Sequence, residues 1–276
     1  MQIHRHGCGC ALLLVHLPVM SPEKLGQHFL TDASWLDRIA RAVRIDDGVW
    51  VEIGAGHGEM TTRLAQLASK VFAIELDSRL AKRLREVTAP CKKVEVVESD
   101  VMAVDFQKLT GGERFSVYGN LPYYITSPIL HRLFEHAERI AAIHIVIQFE
   151  VAVRIVAQPG RRDYGYLSVV SQWFSRPEIA FRIPSGAFRP PPKVASALVS
   201  FHMPGARAHN SVADENAFLD FVKECFTQKR KTLRNNLRAR LGTRTEEVLQ
   251  EAGLSPDVRA EQLTISQFAA LFQLTR

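Results

Sequence analysis

The sequence predicts an α/β protein with a doubly wound, Rossmann-like sheet, followed by a small C-terminal all-helical domain. Short apolar runs alternate with helical periodicity between about residues 49 and 202, which is typical of a mostly parallel sheet with helices on both faces. A glycine-rich turn separates the first apolar run from the helix after it. Past a polar stretch at 205–214, which we interpret as a linker, only helical periodicity remains. We therefore predict one domain over 21–204 and a second over 205–276.

Positive charge is concentrated in one segment of the chain. The 276 residues carry a net charge of +6, with 46% hydrophobic and 23% charged residues, which is ordinary for a globular protein. Between Lys223 and Arg244 there are eight Lys or Arg residues and one acid, Glu224, so this segment alone carries +7. Such a patch indicates a polyanionic partner such as nucleic acid.

The first twenty residues differ from the rest. Their apolar run at 11–17 is too short for a membrane span and lacks a small-residue cleavage site, so neither a membrane helix nor a signal peptide is predicted. We expect residues 1–20 to be a disordered leader or a start-site artefact, with Met20 as the functional start. Alternating metal-ligating side chains occur here, namely His4, His6, Cys8 and Cys10. Nothing predicts a compact site around them, so no metal is expected.

The four cysteines indicate the compartment. Cys8, Cys10, Cys91 and Cys225 form no Cys-x-x-Cys motif and no disulfide framework. That usage fits a protein of the reducing cytoplasm.

The first predicted strand, 49–53, leads into a turn that contains Gly54, Gly56 and Gly58, and then into a helix at about 59–67. A dinucleotide site would need its third glycine one residue later, and a nucleotide-phosphate loop would need a Gly-Lys-Ser/Thr that is absent. An acid, Glu52, precedes the turn, which disfavours phosphates and suits a ligand with an amine and a sulfonium. The spacing therefore favours S-adenosylmethionine.

Acids also end the next two predicted strands. Glu75 ends the strand at 71–75 and could accept both ribose hydroxyls of an adenosine-containing cofactor. Asp100 follows the strand at 94–98 and could accept from the adenine amine, while Leu76 and Val101 sandwich the ring. Taken singly, each acid could equally be a solvated strand end or a helix N-cap. Three acids on successive strands beside a glycine turn favour the cofactor site.

The fourth strand, 114–118, is followed by Gly-Asn-Leu-Pro-Tyr-Tyr. Asn120 offers an amide oxygen, Leu121 a carbonyl whose direction Pro122 fixes, and Tyr123 a flat ring. These groups suit a planar base with an exocyclic amine, although the same residues are also typical of a plain turn. Asn-Leu-Pro-Tyr resembles the Asn-x-Pro-Tyr signature of methyltransferases that act on amino groups of bases.

The remaining elements of the first domain continue the alternation. They are helices at about 32–43, 127–137, 150–157 and 165–174, and strands near 143–147, 178–183 and 197–202, which bring the sheet to seven strands. The last two strands flank a proline run at 190–192 that cannot join a sheet ladder. We expect this stiff, extended loop to hold Phe188 over the pocket, with a rigid linker as the alternative.

The basic segment has the pattern of an amphipathic helix. Leucines recur at helical spacing at Leu233, Leu237 and Leu241, while Arg230, Arg234 and Arg238 are four apart and share another face, with Lys231 beside them. A solvated charged face is the usual alternative for such a run. Arginines on a helix face bind phosphates through their planar forks, so we predict an RNA-binding surface.

The ordered set of motifs resembles the KsgA-type ribosomal RNA adenine dimethyltransferases from about Lys24 to the C-terminus. Glu75 and Asp100 match the family. The other matching pieces are Leu-Gly-Gln-His-Phe-Leu at 25–30, Glu-Ile-Gly-Ala-Gly-His-Gly at 52–58, Asn-Leu-Pro-Tyr at 120–123, Phe-x-Pro-Pro-Pro-Lys-Val at 188–194 and Lys-Arg-Lys-Thr-Leu-Arg-Asn at 229–235. Each motif alone is weak, but their order is highly specific.

The resemblance implies a seven-stranded class I S-adenosylmethionine methyltransferase sheet with a small helical domain. It implies N6-dimethylation of two adjacent adenosines in a loop near the 3′ end of small-subunit (16S) ribosomal RNA, on an immature 30S particle. It also adds Gln27, His28 and Leu30 to the cofactor site and Lys229 to the RNA surface. We expect a monomer.

Two positions depart from the family pattern. Phe149 stands where a lysine is common, and Tyr166 where an arginine is common, which puts RNA contacts of the first domain in doubt but leaves the chemistry intact. Methylation of large-subunit RNA or DNA is the alternative enzyme activity. A non-enzymatic assembly or transcription factor is the alternative outside catalysis.

Overall fold

The computed structural model describes residues 28–122 and 124–275. The predicted leader, Gln27 and Tyr123 lie outside the described residues. The described ranges contain nine strands: β1 (Phe29–Leu30), β2 (Val49–Ile53), β3 (Lys70–Glu75), β4 (Val94–Glu98), β5 (Phe115–Asn120), β6 (Ile140–Gln148), β7 (Arg176–Ile183), β8 (Phe188–Arg189) and β9 (Ser196–His202).

Seven strands form one sheet in the order β4-β3-β2-β5-β6-β9-β7. The first five in this order are parallel, and β9 runs antiparallel to both β6 and β7. The predicted α/β fold class with seven strands is confirmed. Because parallel strands end at the same edge, the residues that follow β2, β3, β4 and β5 meet there.

Eleven α-helices occur among the described residues: α1 (Ala33–Ala42), α2 (Glu59–Leu67), α3 (Ser78–Thr88), α4 (Phe106–Leu109), α5 (Thr126–Phe134), α6 (Phe149–Val156), α7 (Tyr166–Phe174), α8 (Glu215–Cys225), α9 (Leu233–Leu241), α10 (Thr245–Glu251) and α11 (Ile265–Leu274). Their starts follow from the sequence, since Asp32, Asp77 and Thr264 accept backbone N–H groups as N-caps. The helix predicted at 127–137 ends earlier, at Phe134, because residues 135–139 form turns.

The apolar core is continuous between the sheet and the C-terminal helices. Trp173 of α7 packs on Phe218 of α8 with ring centroids 4.5 Å apart, and the Tyr164 hydroxyl donates to the Leu263 carbonyl at 3.0 Å. Buried residues of the sheet, such as Ile143, belong to the same cluster as Phe221 and Phe268. Helices α8–α11 therefore pack directly against the sheet-bearing part of the chain.

The first residues of the predicted linker at 205–214 are anchored to the rest of the structure. Gly205 donates to the Phe174 carbonyl at 2.9 Å, and a Cβ atom on Gly205 would lie 2.3–2.6 Å from backbone atoms of Gln172 and Ser175. Arg207 pairs with Glu138 and Glu215. This segment is anchored because its small and charged residues fit the end of α7.

The loop before the proline run also differs from expectation. Its first two residues, Phe188 and Arg189, form β8 and pair antiparallel with β1. The proline run starts at Pro190, so these two residues still have the N–H groups that a ladder needs. The short β1–β8 sheet therefore connects the start of the described chain to this loop.

Candidate active site and nucleic-acid interface

The glycine turn after β2 needs glycine for steric reasons. Gly54, Gly56 and Gly58 have φ values of 71°, 56° and 88°, a region that side chains with a Cβ atom rarely adopt. The amides of Gly54 and Ala55 both donate to the Ile74 carbonyl, at 2.9 and 3.2 Å. A Cβ atom on Gly56 would lie 3.3 Å from the Phe29 ring. The turn is thus a tight backbone surface beside β1.

Glu75 is built into this turn. Its side chain is 4% exposed, and its two oxygens accept from the amides of Gly56 at 2.8 Å and Asp77 at 2.9 Å. The N-cap of α3 is Asp77. Glu75 is therefore neither a solvated strand-end acid nor a helix N-cap, which were the two alternatives to a cofactor ligand. A carboxylate has about four acceptor sites, so two remain for ribose hydroxyls.

Asp100 lies on the neighbouring strand end, where the Ser99 amide donates to the Glu75 carbonyl at 3.1 Å. Its carboxylate is exposed, and Oδ1 accepts from the Met102 amide at 2.9 Å. Asp100 is therefore a helix N-cap, one of the two alternatives for this residue, and its side chain is exposed at the surface. Leu76 is 59% exposed and Val101 is 8% exposed, so the predicted adenine wall consists of one open and one buried side chain.

Glu52 is buried at 2% exposure. Burial, opposed by the nearby Thr61 hydroxyl and assisted by the nearby charges of Glu59 and Glu75, raises the pKa of its carboxyl to about 8. Its Oε2 atom has no hydrogen-bond partner within the described residues. A buried acid without a counter-charge fits the cationic part of a ligand better than a phosphate.

The Asn-Leu-Pro turn lies directly beside the glycine turn. Ile53 is the register partner of Gly119, and the Asn120 carbonyl lies 3.7 Å from the Cβ position of Gly54. A Cβ atom on Gly119 would lie 2.8 Å from Leu121 Cδ2, so only glycine allows this approach. Residues 120–122 and the predicted cofactor residues therefore share one edge of the sheet.

The orientation of the Asn120 amide is defined by one hydrogen bond. Its Nδ2 donates to the His28 carbonyl at 2.9 Å, and a carbonyl oxygen can only accept. The Oδ1 atom is the other end of the amide and receives no hydrogen bond from the described residues. The Leu121 side chain is buried at 2% exposure, its amide donates to Val146, and within the described ranges no hydrogen bond is donated to its carbonyl.

Phe188 is not available for stacking in this structure. The predicted loop would hold its ring over the pocket, but the side chain is 1% exposed and packs in a cluster with Leu30, Tyr118 and Val146. The cause is the pairing of β8 with β1, which fixes the loop inward. A role in gripping a base would require the ring to move.

Of two neighbouring residues near the site, His28 was singled out from the sequence and Phe29 was not. The Phe29 ring packs against Gly56 and lies 4.8 Å from the His57 ring, and His28 Nδ1 lies 2.7 Å from the Pro190 carbonyl. The only signal for Phe29 was its place in the motif at 25–30. Its contact is long-range, so spacing could not predict it.

The basic surface differs from the predicted single helix face. Arg230 precedes α9, because Thr232 is extended and the Leu233 amide donates to Val258. Arg234 pairs with Glu246 at 2.8 Å, whereas Arg238 and Lys231 are exposed. Lys229 is exposed too, with its amine bonded to the Arg162 carbonyl. Arg234 and Arg238 remain on α9, and an acid from outside the segment neutralises one of them.

Phe149, which is expected to replace a lysine common in the family, lies beside a positive charge. The Arg182 guanidinium lies over the Phe149 ring, 4.8 Å from its centroid. A positive charge is therefore present at the position of Phe149, supplied by β7.

Within the part of the chain that the structure describes, no three His, Cys, Asp or Glu side chains are close enough to hold a metal ion. In the same residues, no helix has the length and apolar character needed to cross a membrane.

Known proteins resemble this chain over nearly its whole length. The family model for ribosomal RNA adenine dimethylase matches residues 21–276. Two similar proteins are each named ribosomal RNA small subunit methyltransferase A. The one from Pelotomaculum thermopropionicum is 40% identical to this chain over 268 residues, and the one from Acidobacterium capsulatum is 43% identical over 254 residues. Each alignment covers 91% of this chain, and 90% and 89% of the relative, respectively.

Solved structures give the same result. A dimethyladenosine transferase from Plasmodium falciparum is 25% identical with a TM-score of 0.77, covering 88% of this chain and 96% of its own. The 23S rRNA methyltransferase ErmE is 28% identical with a TM-score of 0.66, covering 89% and 98%. The chain belongs to the ribosomal RNA adenine dimethylase family and is an S-adenosylmethionine-dependent adenine dimethyltransferase of ribosomal RNA.

Proposed function

We propose that this protein dimethylates N6 of two adjacent adenosines in a loop near the 3′ end of small-subunit ribosomal RNA. It acts as a monomer on an immature 30S particle in the cytoplasm. The observation that carries the proposal is the orientation of Asn120: its Nδ2 is held by the His28 carbonyl at 2.9 Å, which leaves Oδ1 to accept from an adenine amine.

The chemistry required of the protein is positioning. The adenine amine is a poor nucleophile because its lone pair is delocalised into the ring. If Asn120 Oδ1 and the Leu121 carbonyl accept hydrogen bonds from its two N–H groups, the nitrogen becomes more tetrahedral and its lone pair turns outward. As the nitrogen takes the methyl group in place of the sulfur, it loses one proton to solvent. Tyr123 stacks on the base, and Phe188 joins it if the buried ring moves. Such preorganised acceptors need no general base.

The cofactor residues fit S-adenosylmethionine, which supplies an electrophilic methyl group on a sulfonium. Glu75 binds the ribose hydroxyls with its free acceptor sites, Asp100 binds the adenine amine, and Leu76 and Val101 flank the ring. Glu52 compensates the positive charge of the amine or sulfonium. Gln27, His28 and Leu30, together with Gly54 and Gly56, complete the site.

The alternative substrate is large-subunit RNA, because ErmE is named a 23S rRNA methyltransferase. One observation favours the small subunit, because the relatives that are 40% and 43% identical are named for it, whereas ErmE is 28% identical. RNA contacts come from Lys229, Arg230, Lys231, Arg234 and Arg238.

The test is methyl transfer from labelled S-adenosylmethionine to undermethylated small subunits and, separately, to undermethylated large subunits. We expect label only in the small subunit, and mass mapping should place two dimethyladenosines next to each other. Label in the large subunit, or in isolated adenosines, would refute the proposed substrate. No transfer to either subunit would favour a non-enzymatic assembly factor.

A further inference from the structure

We propose that a cleft between the start of α7 and the C-terminal helices binds one single-stranded nucleotide of the RNA, with Tyr166 as the ring on which its base stacks. The inference rests on the proposed function, because it assigns a second contact for the same RNA. This contact lies outside the catalytic edge of the sheet, by which we mean the edge that carries Gly54, Glu75 and Asn120. It concerns a residue at which this chain departs from its family pattern.

The cleft is large enough for a nucleotide. Its volume is about 720 Å³, which is within the range of pockets that hold small ligands. It is formed by residues that are far apart in sequence: Arg154 of α6, Arg162 and Tyr166 around the start of α7, Lys229 and Arg230 before α9, and Arg259 before α11.

The charge of the cleft favours an anion. Five cations line it, while Asp163 and Glu261 are its only two lining acids among the described residues, which leaves a net charge of +3. Arg154 pairs with Glu150. Arg162, Arg230 and Arg259 form no ion pair with any carboxylate within residues 28–122 and 124–275. Guanidinium groups bind phosphate in two-pronged geometry.

Tyr166 gives the cleft a flat, neutral surface. Its half-buried ring stacks on His131 with centroids 5.6 Å apart and an interplanar angle of 19°. Burial raises the pKa of Tyr166, as does Asp220, and burial lowers the pKa of His131. Both rings are therefore neutral at pH 7. The stack fixes the tyrosine in advance, so little side-chain entropy is lost on binding.

A ring among guanidinium groups indicates a nucleotide rather than an acidic peptide. Acidic peptides need cations alone, whereas single-stranded nucleic acids are bound by basic grooves with aromatic side chains on which bases stack. An arginine at position 166 would add one more phosphate contact. The tyrosine instead makes the cleft sensitive to the presence of a base.

The test uses two labelled five-residue oligonucleotides, one of uridines and one abasic. Uridine lacks the exocyclic amine for which the Asn120 site is suited, so binding at the catalytic edge is avoided. We expect the wild type to prefer the uridine oligonucleotide by about tenfold, a typical effect of one base–aromatic stack. Tyr166→Ala should remove this preference, and Tyr166→Phe should retain it. Equal binding of both oligonucleotides by the wild type would overturn the proposal.

Charge reversal tests the phosphate part. The double change Arg162→Glu and Arg259→Glu should weaken both oligonucleotides equally and reduce the slope of log affinity against log salt by about 1.4, since each single-strand phosphate contact contributes about 0.7. Arg83→Glu on α3, also an exposed arginine, is the matched control and should leave the slope unchanged. An unaltered slope in the double variant would contradict the assignment.

Two further measurements separate this inference from the proposed function. Cofactor affinity of each variant should equal that of the wild type, which excludes misfolding, and Tyr166→Phe, which keeps the ring that stacks on His131, should also match the wild type in thermal unfolding. If the wild type does not methylate small subunits, the proposed function fails. If it does, but Tyr166→Ala binds the uridine oligonucleotide like the wild type, or the cleft prefers an acidic peptide of equal length, only the present inference fails.

Discussion

The catalytic edge of the sheet and the basic C-terminal helices are built in different ways. At the edge, the positive φ values of Gly54 and Gly56 favour glycine, and a Cβ atom on Gly119 would lie only 3.2 Å from the Ile53 carbonyl. On the helices, cationic side chains at the surface pair with acids from other parts of the sequence, as Arg234 does with Glu246. The first region is defined by sterics and buried hydrogen bonds, and the second by charges that solvent screens.

This difference teaches where single substitutions matter. A change at the edge alters geometry that no neighbour can replace. A change on the helices removes one charge out of many, so its effect is small and depends on salt.

The largest effect is expected for Asn120→Ala. Loss of one preorganised polar group in an active site typically lowers kcat by about 100- to 1000-fold. Because we assign the amide to the base and not to the main cofactor groups, affinity for S-adenosylmethionine should change less than about twofold. Asn216→Ala, at an exposed position of α8, is the control. Steady-state methylation assays measure kcat, and calorimetry measures the affinity for S-adenosylmethionine. Normal turnover of Asn120→Ala would contradict the proposed chemistry.

Gly205→Ala tests the junction between the two regions. The new Cβ atom would lie 2.3–2.6 Å from backbone atoms at the end of α7, and backbone cannot move aside as a side chain can. We expect the free energy of unfolding to fall by about 3 kcal/mol. At Gly186 a Cβ atom meets nothing within 4 Å, so Gly186→Ala should be nearly neutral. Similar denaturant midpoints for the two variants would show that the junction is loose.

Glu52 makes stability depend on pH. Its pKa is about 8 in the folded protein against an ordinary value of 4.5, so between these values the folded state holds a proton that the unfolded state has lost. Stability should therefore decrease as pH rises, by about 2–3 kcal/mol from pH 5 to pH 7. Glu52→Gln should lose this part of the dependence. Denaturant titrations at several pH values give the answer, and identical profiles for both proteins would contradict the assigned pKa.

The smallest effect is expected on the helices. Arg238→Ala should lower the salt slope of RNA binding by about 0.7–0.9, the contribution of one phosphate contact. Arg234→Ala should lower it less, because its partner Glu246 already neutralises part of the charge. Fluorescence anisotropy over a salt series compares the two. A larger change for Arg234 than for Arg238 would reverse the proposed ranking.

The sequence predicted local features well and non-local ones poorly. The strand at 49–53 and the helix at 59–67 have the predicted bounds, because periodicity and glycine spacing are local signals. The burial of Phe188 and the position of Arg230 before α9 were missed. Both follow from long-range contacts, the pairing of β8 with β1 and the bond from Leu233 to Val258, which no spacing rule contains.

A three-residue segment, His28 to Leu30, touches three walls of the site at once. His28 contacts Asn120 and Pro190, and Phe29 covers Gly56. Binding of the cofactor at Gly56, or of the base at Asn120, would thus restrict the motion of the same few backbone amides. Amide exchange at these positions would slow with each ligand alone, and the two ligands would assist each other's binding through a shared ordering cost.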